Sequence, residues 1–312
     1  MTDKRIGLLF GMEDTFPWAL IEEINRRGAG RAEAMPVEIS AVRDDGSFPY
    51  DVILDRISHE VPFYRTWLKC ALASGVRVVN NPIWWSADDK FFDNLVAKAA
   101  GVAVPRTVLL PHKQYPPNTG AQSFRNMRWV DWDAVFTYLQ FPIFLKPAYG
   151  GGWKDVYKCD TRDEFFAAYD QTRELAMMAQ EAIEFDSYFR CYVAGRKRVH
   201  LMRYDPKQPF HQRYVQDPPP LEPAFEGRLR RDARALCEAL GYDLNTVEFA
   251  VRGGIPYAID FMNCAPDADV HSVGKANFDW IVTNMADVLI EMAAEEPRFE
   301  LTGTWPESMH RV

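Results

Sequence analysis

The chain has 312 residues, 47% of them hydrophobic and 13% aromatic, which is enough for substantial cores and excludes a disordered protein. Its length exceeds what one hydrophobic core usually serves, so two or three subdomains are expected. A net charge of −8 argues against nucleic acid or an anionic membrane as the main partner.

The apolar runs and the five cysteines narrow the class of protein further. No apolar run approaches the roughly 20 residues of a membrane span, and Glu13 and Asp14 interrupt the N-terminal apolar stretch too early for a signal peptide. The cysteines are odd in number, widely spaced and contain no CxxC pair. We therefore expect a reduced, cytoplasmic protein with neither a disulfide framework nor a zinc site.

The first 85 residues alternate between predicted strands and helices. Apolar runs predict strands at 6–10, 37–42, 52–54 and 76–79, and helical spacing predicts helices over 16–27 and 64–72. Such alternation predicts a parallel α/β layer. The first turn lacks the GxGxxG pattern, which argues against a dinucleotide site.

Two lysines in the next part of the chain stand where an anion would suit them. Lys90 lies near the start of a helix that Ser86 is expected to cap, where a basic residue opposes the helix dipole. Lys146 ends a strand and precedes three glycines, whose backbone N–H groups can approach phosphate oxygens. The lysine precedes the glycines, so this is not a Walker A loop. A solvated lysine and an ordinary hairpin loop are the alternatives.

The middle of the chain adds further elements without a strong motif. Helices are predicted at 132–139, 161–174, 225–240 and 278–294, and strands at 177–183, 188–193 and 198–203. Arg190 and Arg203 either point from the last two strands into a cleft or form surface salt bridges. The proline-rich segment 205–223 is a lid or a long loop.

The stretch from Thr246 to Pro266 has period-two patterning on both sides of a Gly-Gly pair, which predicts a half-buried hairpin. We expect a three-residue loop at 253–255 and these cross-strand pairs: Val247 with Phe261, Phe249 with Ile259, and Val251 with Tyr257. A slip of one residue would set apolar side chains against polar faces.

This register places Glu248 opposite Asp260, with their Cβ atoms roughly 5 Å apart. Two like charges at that distance are destabilising unless something positive lies between them. Mg²⁺ is the natural candidate, because it takes one or two carboxylates together with substrate phosphates. A hairpin with a solvated acidic face is the alternative.

The order of these motifs resembles the ATP-grasp superfamily, whose members include D-alanine–D-alanine ligase, glutathione synthetase and the ribosomal-protein glutamate ligases. The resemblance spans about 86–294 and rests on four motifs: Asp89-Lys90, Lys146-Pro147 with its glycine loop, Gln180 to Ile183, and Glu248…Asp260…Asn263-x-x-Pro266. It implies an α/β (α+β) ATP-grasp fold with an N-terminal parallel α/β domain. The implied domains are 1–85, 86–185 with the small lid subdomain, and 186–312 with the metal site.

The resemblance also implies a role for each motif. It implies that Lys90 and Lys146 hold the phosphates of ATP. It implies that a loop closes over ATP, formed by Gly150, Gly151, Gly152 and Trp153. It also implies an adenine hinge of Gln180, Glu181 and Ile183, with Glu184 or Asp186 binding the ribose. For Mg²⁺ and catalysis it implies these: Glu248, Asp260 and Asn263 as metal ligands, and Lys146, Arg190 and Arg203 facing the γ-phosphate and acyl phosphate.

Two positions depart from the family pattern. The family usually spaces its last acid and asparagine as E-x-N, whereas Asp260 and Asn263 have one more residue between them. In a regular strand Asn263 would then face the other way, so a bulge or a strand end is needed. Many peptide-type ligases also carry an arginine where this chain has Thr246, a role that Arg203 or Arg190 would have to take.

The function that these residues and the resemblance predict is an ATP- and Mg²⁺-dependent ligase, which joins a carboxylate to an amine (or thiol) through an acyl phosphate. The alternatives are a small-molecule kinase of the same type and an ATP-binding regulatory protein without turnover. The expected partners are ATP and small carboxylate and amine substrates, with a homodimer as the common expectation for a soluble enzyme.

Overall fold

The computed structural model describes residues 4–83, 89–150, 153–209, 212–296 and 304–308, and within them the chain forms three four-stranded sheets. We call them the N-terminal, middle and C-terminal sheets. In the described part of the chain, no helix combines the length and apolarity needed to cross a bilayer.

The N-terminal sheet is parallel, as the alternating pattern predicts, with strand order β2-β1-β3-β4. Its elements are β1 (Lys4–Leu9), α1 (Phe16–Arg27), β2 (Ala32–Pro36), β3 (Val52–Asp55), α2 (Pro62–Ala73) and β4 (Arg77–Val79). Side chains alternate between its faces. Ile6 and Leu8 pack in a core with α1, whereas Ile53 packs in another with α2.

The middle sheet is antiparallel, with strand order β5-β8-β6-β7. The elements from α3 to β8 are α3 (Lys90–Ala99), β5 (Thr107–Leu110), α4 (Trp132–Leu139), β6 (Ile143–Pro147), β7 (Tyr157–Cys159), α5 (Arg162–Gln171) and β8 (Met177–Glu181). Helices α4 and α5 cover one face through aromatic side chains such as Phe136 and Phe165. Thr161 caps α5 by accepting a hydrogen bond from the Glu164 N–H, as expected for a capping box.

The C-terminal sheet is also antiparallel, with strand order β10-β9-β11-β12. The remaining elements are β9 (Ser187–Ala194), β10 (Arg198–Arg203), α6 (Pro223–Leu240), β11 (Leu244–Arg252), β12 (Ile255–Asp260), α7 (Val270–Val273), α8 (Lys275–Ala294) and α9 (Trp305–Ser308). Residues of α3 and α6 pack on the face that Val247 and Phe249 form. Helix α8 packs against α1 and so returns the chain to the N-terminal sheet.

The predicted elements differ from the structure at three places. The strand expected at 37–42 is wrong, since β2 ends at Pro36 and the chain leaves the ladder there, although the Val37 N–H still donates to the Leu8 carbonyl. Strand β5 was not predicted because it is short and partly exposed at the edge of its sheet. The structure starts α3 with Asp89 as its N-cap, whereas the predicted cap Ser86 lies outside the described residues.

The hairpin of β11 and β12 is present, but most of its predicted register is wrong. Its turn is the two-residue pair Gly253-Gly254, with φ of 56° and 73°, as a type I′ turn requires. Phe249 therefore pairs with Ala258, and a bulge at Ile259 shifts the register by one residue. The shift restores the predicted pair of Glu248 with Asp260.

Each predicted domain carries one sheet, but helices cross between them. The segment 86–185 contributes α3 to the core of the C-terminal sheet, and the segment 186–312 contributes α8 to that of the N-terminal sheet. The boundaries at 85/86 and 185/186 therefore stay predictions.

Candidate active site between the middle and C-terminal sheets

A cavity of about 560 Å³ lies between the middle and C-terminal sheets. Its walls include nine residues that the sequence singles out: Lys90, Lys146, Gly150, Trp153, Gln180, Glu181, Ile183, Glu248 and Asp260. They come from segments up to 170 positions apart, so the fold brings the predicted motifs to one place.

The two predicted lysines meet at the same end of the cavity. The backbone N–H of Lys90 donates to the Ala148 carbonyl at 3.0 Å, and this hydrogen bond links the start of α3 to the chain that follows β6. The Lys146 ammonium donates to the Ile259 carbonyl, the bulged position of β12, at 3.4 Å. Burial lowers the pKa of Lys146 to about 8 against the attraction of Asp260, and the charge of Lys90 lowers it further. An anion bound between the two lysines would offset the repulsion between their charges and favour the charged form of Lys146.

Glu248 and Asp260 lie side by side on β11 and β12, as predicted. Glu248 forms an ion pair with Arg190, Nε to Oε1 at 3.1 Å, and its other oxygen accepts a hydrogen bond from the Tyr188 hydroxyl. Burial raises the pKa of Glu248, and the nearby charge of Asp260 raises it further, against the attraction of Arg190. Among the described residues, Asp260 has no hydrogen bond or salt bridge, so one acid of the pair lacks a direct partner.

These acids fit a divalent cation that also binds phosphate. The described residues contain no cluster of three or more His, Cys, Asp or Glu side chains suited to a metal. Two carboxylates are nevertheless what Mg²⁺ commonly takes from a protein when substrate phosphates complete its shell. Asp260, which has no hydrogen bond or salt bridge among the described residues, and the raised pKa of Glu248 both suit a positive charge bound at this position.

The two predicted arginines are on opposite faces of the C-terminal sheet. Arg190 lies opposite Glu248 and is held between the rings of Tyr204 and Tyr214, at 5.3 and 5.7 Å. Arg203 lies over Phe189, at 5.8 Å, on the face that packs against α6. Phe189 and Arg190 are neighbours on β9, and neighbouring residues of a strand point to opposite faces. Arg203, on the face of Phe189, therefore points away from the face of Arg190, and the expectation that it faces the phosphates is corrected.

The arrangement of three sheets with this cavity can be compared with solved structures. The chain superposes on VanG D-Ala:D-Ser ligase from Enterococcus faecalis with a TM-score of 0.68, at 15% identity, covering 94% of this chain and 100% of that one. D-alanine–D-alanine ligase from Bacillus anthracis complexed with ATP gives 0.65 at 16% identity, over 93% and 96% of the two chains. The RimK domain ATP-grasp protein from Sphaerobacter thermophilus gives 0.65 at 19% identity, over 93% and 100%.

The chain has the ATP-grasp fold. Its sequence matches no protein-family model and no curated protein. The likeness is therefore one of structure, and within this fold the cavity lies between the two antiparallel sheets.

The predicted hinge of the ATP-grasp site lies at the end of β8. The Gln180 side-chain amide is buried and donates to the Thr107 hydroxyl at 2.9 Å, while the Glu181 carboxylate is bound by two arginines. Of the two ribose candidates, Glu184 lines the cavity. Asp186 instead accepts a hydrogen bond from the Gly253 N–H, at 3.0 Å, and holds the β11–β12 turn. The assignment of either residue to ribose stays a prediction.

The roles of Asn263 as a metal ligand and of the glycine loop in closing over ATP stay predictions. β12 ends at Asp260, which removes the strand geometry that would have turned Asn263 away. The Asn263 amide donates to the Thr246 carbonyl at 2.8 Å, and the residue lies outside the described lining of the cavity. At the other wall, Gly150 has a φ of 78° and Trp153 is 76% exposed, while Gly151 and Gly152 lie outside the described residues.

Sequence reasoning missed two residues of the site. Tyr188 donates to Glu248, and its position two residues before Arg190 on one strand is a signal that period-two reasoning could have used. Lys207 lines the cavity near Phe185, with its ammonium 5.2 Å from that ring. It lies in the proline-rich segment, where no pattern marks it.

Proposed function

We propose that this protein is an ATP- and Mg²⁺-dependent ligase that joins a carboxylate to an amine on an amino acid, a peptide or a related small metabolite. The observation that supports it most is the meeting of two lysines and two acids in one cavity. Such a set suits a triphosphate with a divalent cation. The ligase names of the structural neighbours support the same class.

The chemistry follows from the charges. A substrate carboxylate would attack the γ-phosphorus of ATP, the bond to ADP would break, and an acyl phosphate would form. An amine would then attack the acyl carbon and release phosphate. Lys90 and Lys146 would hold the phosphate oxygens, while Tyr188 and Arg190 orient Glu248. Mg²⁺, when bound by the two acids, would neutralise phosphate charge.

Closure of the predicted loop at 150–153 would help to protect an acyl phosphate. The Trp153 ring lies at the mouth of the cavity. Closing such a loop expels water, which otherwise hydrolyses a reactive intermediate.

An ADP-release screen against pairs of amino acids and dipeptides would test the proposal. A ligase is expected to release ADP only with both a carboxylate and an amine substrate, whereas a kinase would need one hydroxyl substrate. Glu248→Gln and Asp260→Asn should abolish turnover with the fold retained. Asp279→Asn, at an exposed ion pair with Lys275, is the matched control. Unchanged ADP production in both site variants would refute the metal assignment.

A further inference from the structure

Glu181 is held between two arginines that come from different sheets. Its Oε2 lies 3.0 Å from Nε of Arg106, which precedes β5, and its Oε1 lies 2.8 Å from Nη1 of Arg252, at the end of β11. Glu181 itself ends β8. The carboxylate therefore links the middle sheet to the C-terminal sheet beside the cavity.

Both oxygens of this carboxylate are engaged. The Glu181 side chain is 11% exposed, against 37% for Arg106 and 41% for Arg252. Burial alone would raise the pKa of Glu181, but the hydrogen bonds from Arg106 and Arg252 outweigh it and lower the pKa. The side chain is thus ionised and already bound.

Further hydrogen bonds hold the backbone at the end of β8. The Glu181 N–H donates to the Arg106 carbonyl at 2.9 Å, and the Ala182 N–H donates to the Pro142 carbonyl at 3.0 Å. The Arg106 guanidinium also donates to the Leu139 carbonyl at 3.0 Å. Ile183, the next residue, lines the cavity. The backbone at Glu181 and Ala182 is therefore held by hydrogen bonds to two different strand ends, directly before Ile183 at the cavity wall.

We propose that Arg106, Glu181 and Arg252 form an inter-sheet clamp, a set of positioning residues that holds the 181–183 backbone against the base of a bound nucleotide. The proposal rests on the proposed function for the identity of the ligand. The clamp acts at the base side, because Lys90 and Lys146, which suit the phosphates, form no hydrogen bond or ion pair with these three residues in the described part of the chain. Loss of the clamp should therefore weaken base recognition and spare phosphate recognition.

A pair of ligands separates these two effects. Binding of Mg²⁺-ATP and of Mg²⁺-tripolyphosphate would be measured by calorimetry for Glu181→Gln and Arg252→Met. We expect ATP to bind about tenfold more weakly, the size of effect typical of residues that act through others, and tripolyphosphate to bind within about twofold of the parent protein. Arg252→Lys, which keeps the charge, should recover part of the loss. Equal weakening of both ligands, or of neither, would overturn the clamp.

A second measurement needs no nucleotide. Amide hydrogen exchange in the free protein should quicken about tenfold or more at Glu181 and Ala182 in Arg252→Met, while the amides of β9 and β11 stay protected. Arg198→Met breaks an ion pair with Glu291 on another surface and is the control that should change neither amide. Unchanged exchange at Glu181 and Ala182 would overturn the clamp. If the parent protein fails to bind ATP, the proposed function fails, and the exchange result still decides the clamp.

Discussion

At the scale of single residues, the cavity gathers buried charges that do not fully compensate one another. Glu248 has both Arg190 and Tyr188, whereas Asp260 has no hydrogen bond or salt bridge in the described part of the chain. Within the described ranges, Lys146 donates only to a backbone carbonyl. Since an unpaired buried charge is unfavourable, these groups are better suited to a bound ligand than to the stability of the free protein.

The pKa of Lys146 predicts how ATP binding depends on pH. Burial lowers this pKa from 10.5 to about 8, so the ammonium is present below pH 8 and lost above it. A polyanion binds the charged form better. ATP affinity is therefore expected to be level just below pH 8 and to fall above it, by up to about tenfold per pH unit. Calorimetric titrations at several pH values would measure this.

Lys146→Arg is the matched variant, because arginine stays charged throughout this range. This variant should remove the decline in ATP affinity above pH 8, even if the different shape of arginine weakens ATP binding at every pH. A decline that persists unchanged in this variant would show that another group carries the pH dependence.

At this scale the sequence predicted several charged residues that the fold brings to one cavity, because the motifs come in a specific order. Lys90, Lys146, Glu248 and Asp260 all line the cavity. Arg203 was misplaced for a simple reason. A charge alone does not say which face of a strand it occupies, and that depends on the neighbouring strand.

At the scale of elements, the β11–β12 hairpin shows two irregularities that cancel at the acid pair. The two-residue turn would by itself have set Glu248 opposite Ile259, and the bulge at Ile259 moves Asp260 into that place. The bulge also frees the Ile259 carbonyl for the Lys146 ammonium. Period-two patterning cannot reveal a bulge, because it assumes strict alternation, so the acid pair was predicted through a register that is otherwise wrong.

The Gly-Gly turn gives a prediction about stability. Gly254 has a φ of 73°, a conformation that costs a β-branched residue about 1–2 kcal/mol, whereas asparagine tolerates it well. No atom lies within 4 Å of a Cβ built there, so the effect is one of backbone conformation alone. Gly254→Val should lower the free energy of unfolding by that amount in urea titrations, and Gly254→Asn by clearly less. Equal losses would contradict the turn geometry.

The contact between α1 and α8 gives a second prediction about stability. Glu23 accepts hydrogen bonds from Arg26 and Arg27, which lower its pKa from 4.5 to about 2, and Arg27 also pairs with Asp287 of α8 at 3.0 Å. The pairing therefore stabilises the fold above pH 4.5, and this contribution is lost as the pH falls through about 2. Glu23→Gln should destabilise the protein by about 1 kcal/mol at pH 7. The difference from the parent should narrow below pH 4.5.

Chemical denaturation at pH 7 and at pH 3 to 4 would measure this difference. Glu22→Gln, at an exposed neighbouring position of the same helix, is the control and should change little at either pH. A loss in Glu23→Gln that does not depend on pH would mean that the side chain acts through packing and not through its charge.

At the scale of the whole molecule, the helices tie the three sheets together out of chain order. Helix α3 packs on the C-terminal sheet and α8 on the N-terminal one. The sequence predicted the helices, because their apolar spacing is local, but not where they pack. Packing partners more than a hundred residues away leave no local pattern, as the contact of Asn80 with the Leu244 carbonyl at 2.8 Å illustrates.

This arrangement predicts how ligands change the stability of the whole protein. The cavity lies between two sheets, so a ligand that bridges them stabilises the folded state by about 2.7 kcal/mol at a hundred times its Kd. Mg²⁺-ATP is therefore expected to raise the melting temperature more than ATP with EDTA. In Asp260→Asn the two conditions should give the same, smaller rise, because the lysines still bind phosphate while one of the two acids is lost. If Asp260→Asn responds to Mg²⁺ as the parent does, the metal lies elsewhere, and the acid pair on β11 and β12 has another use.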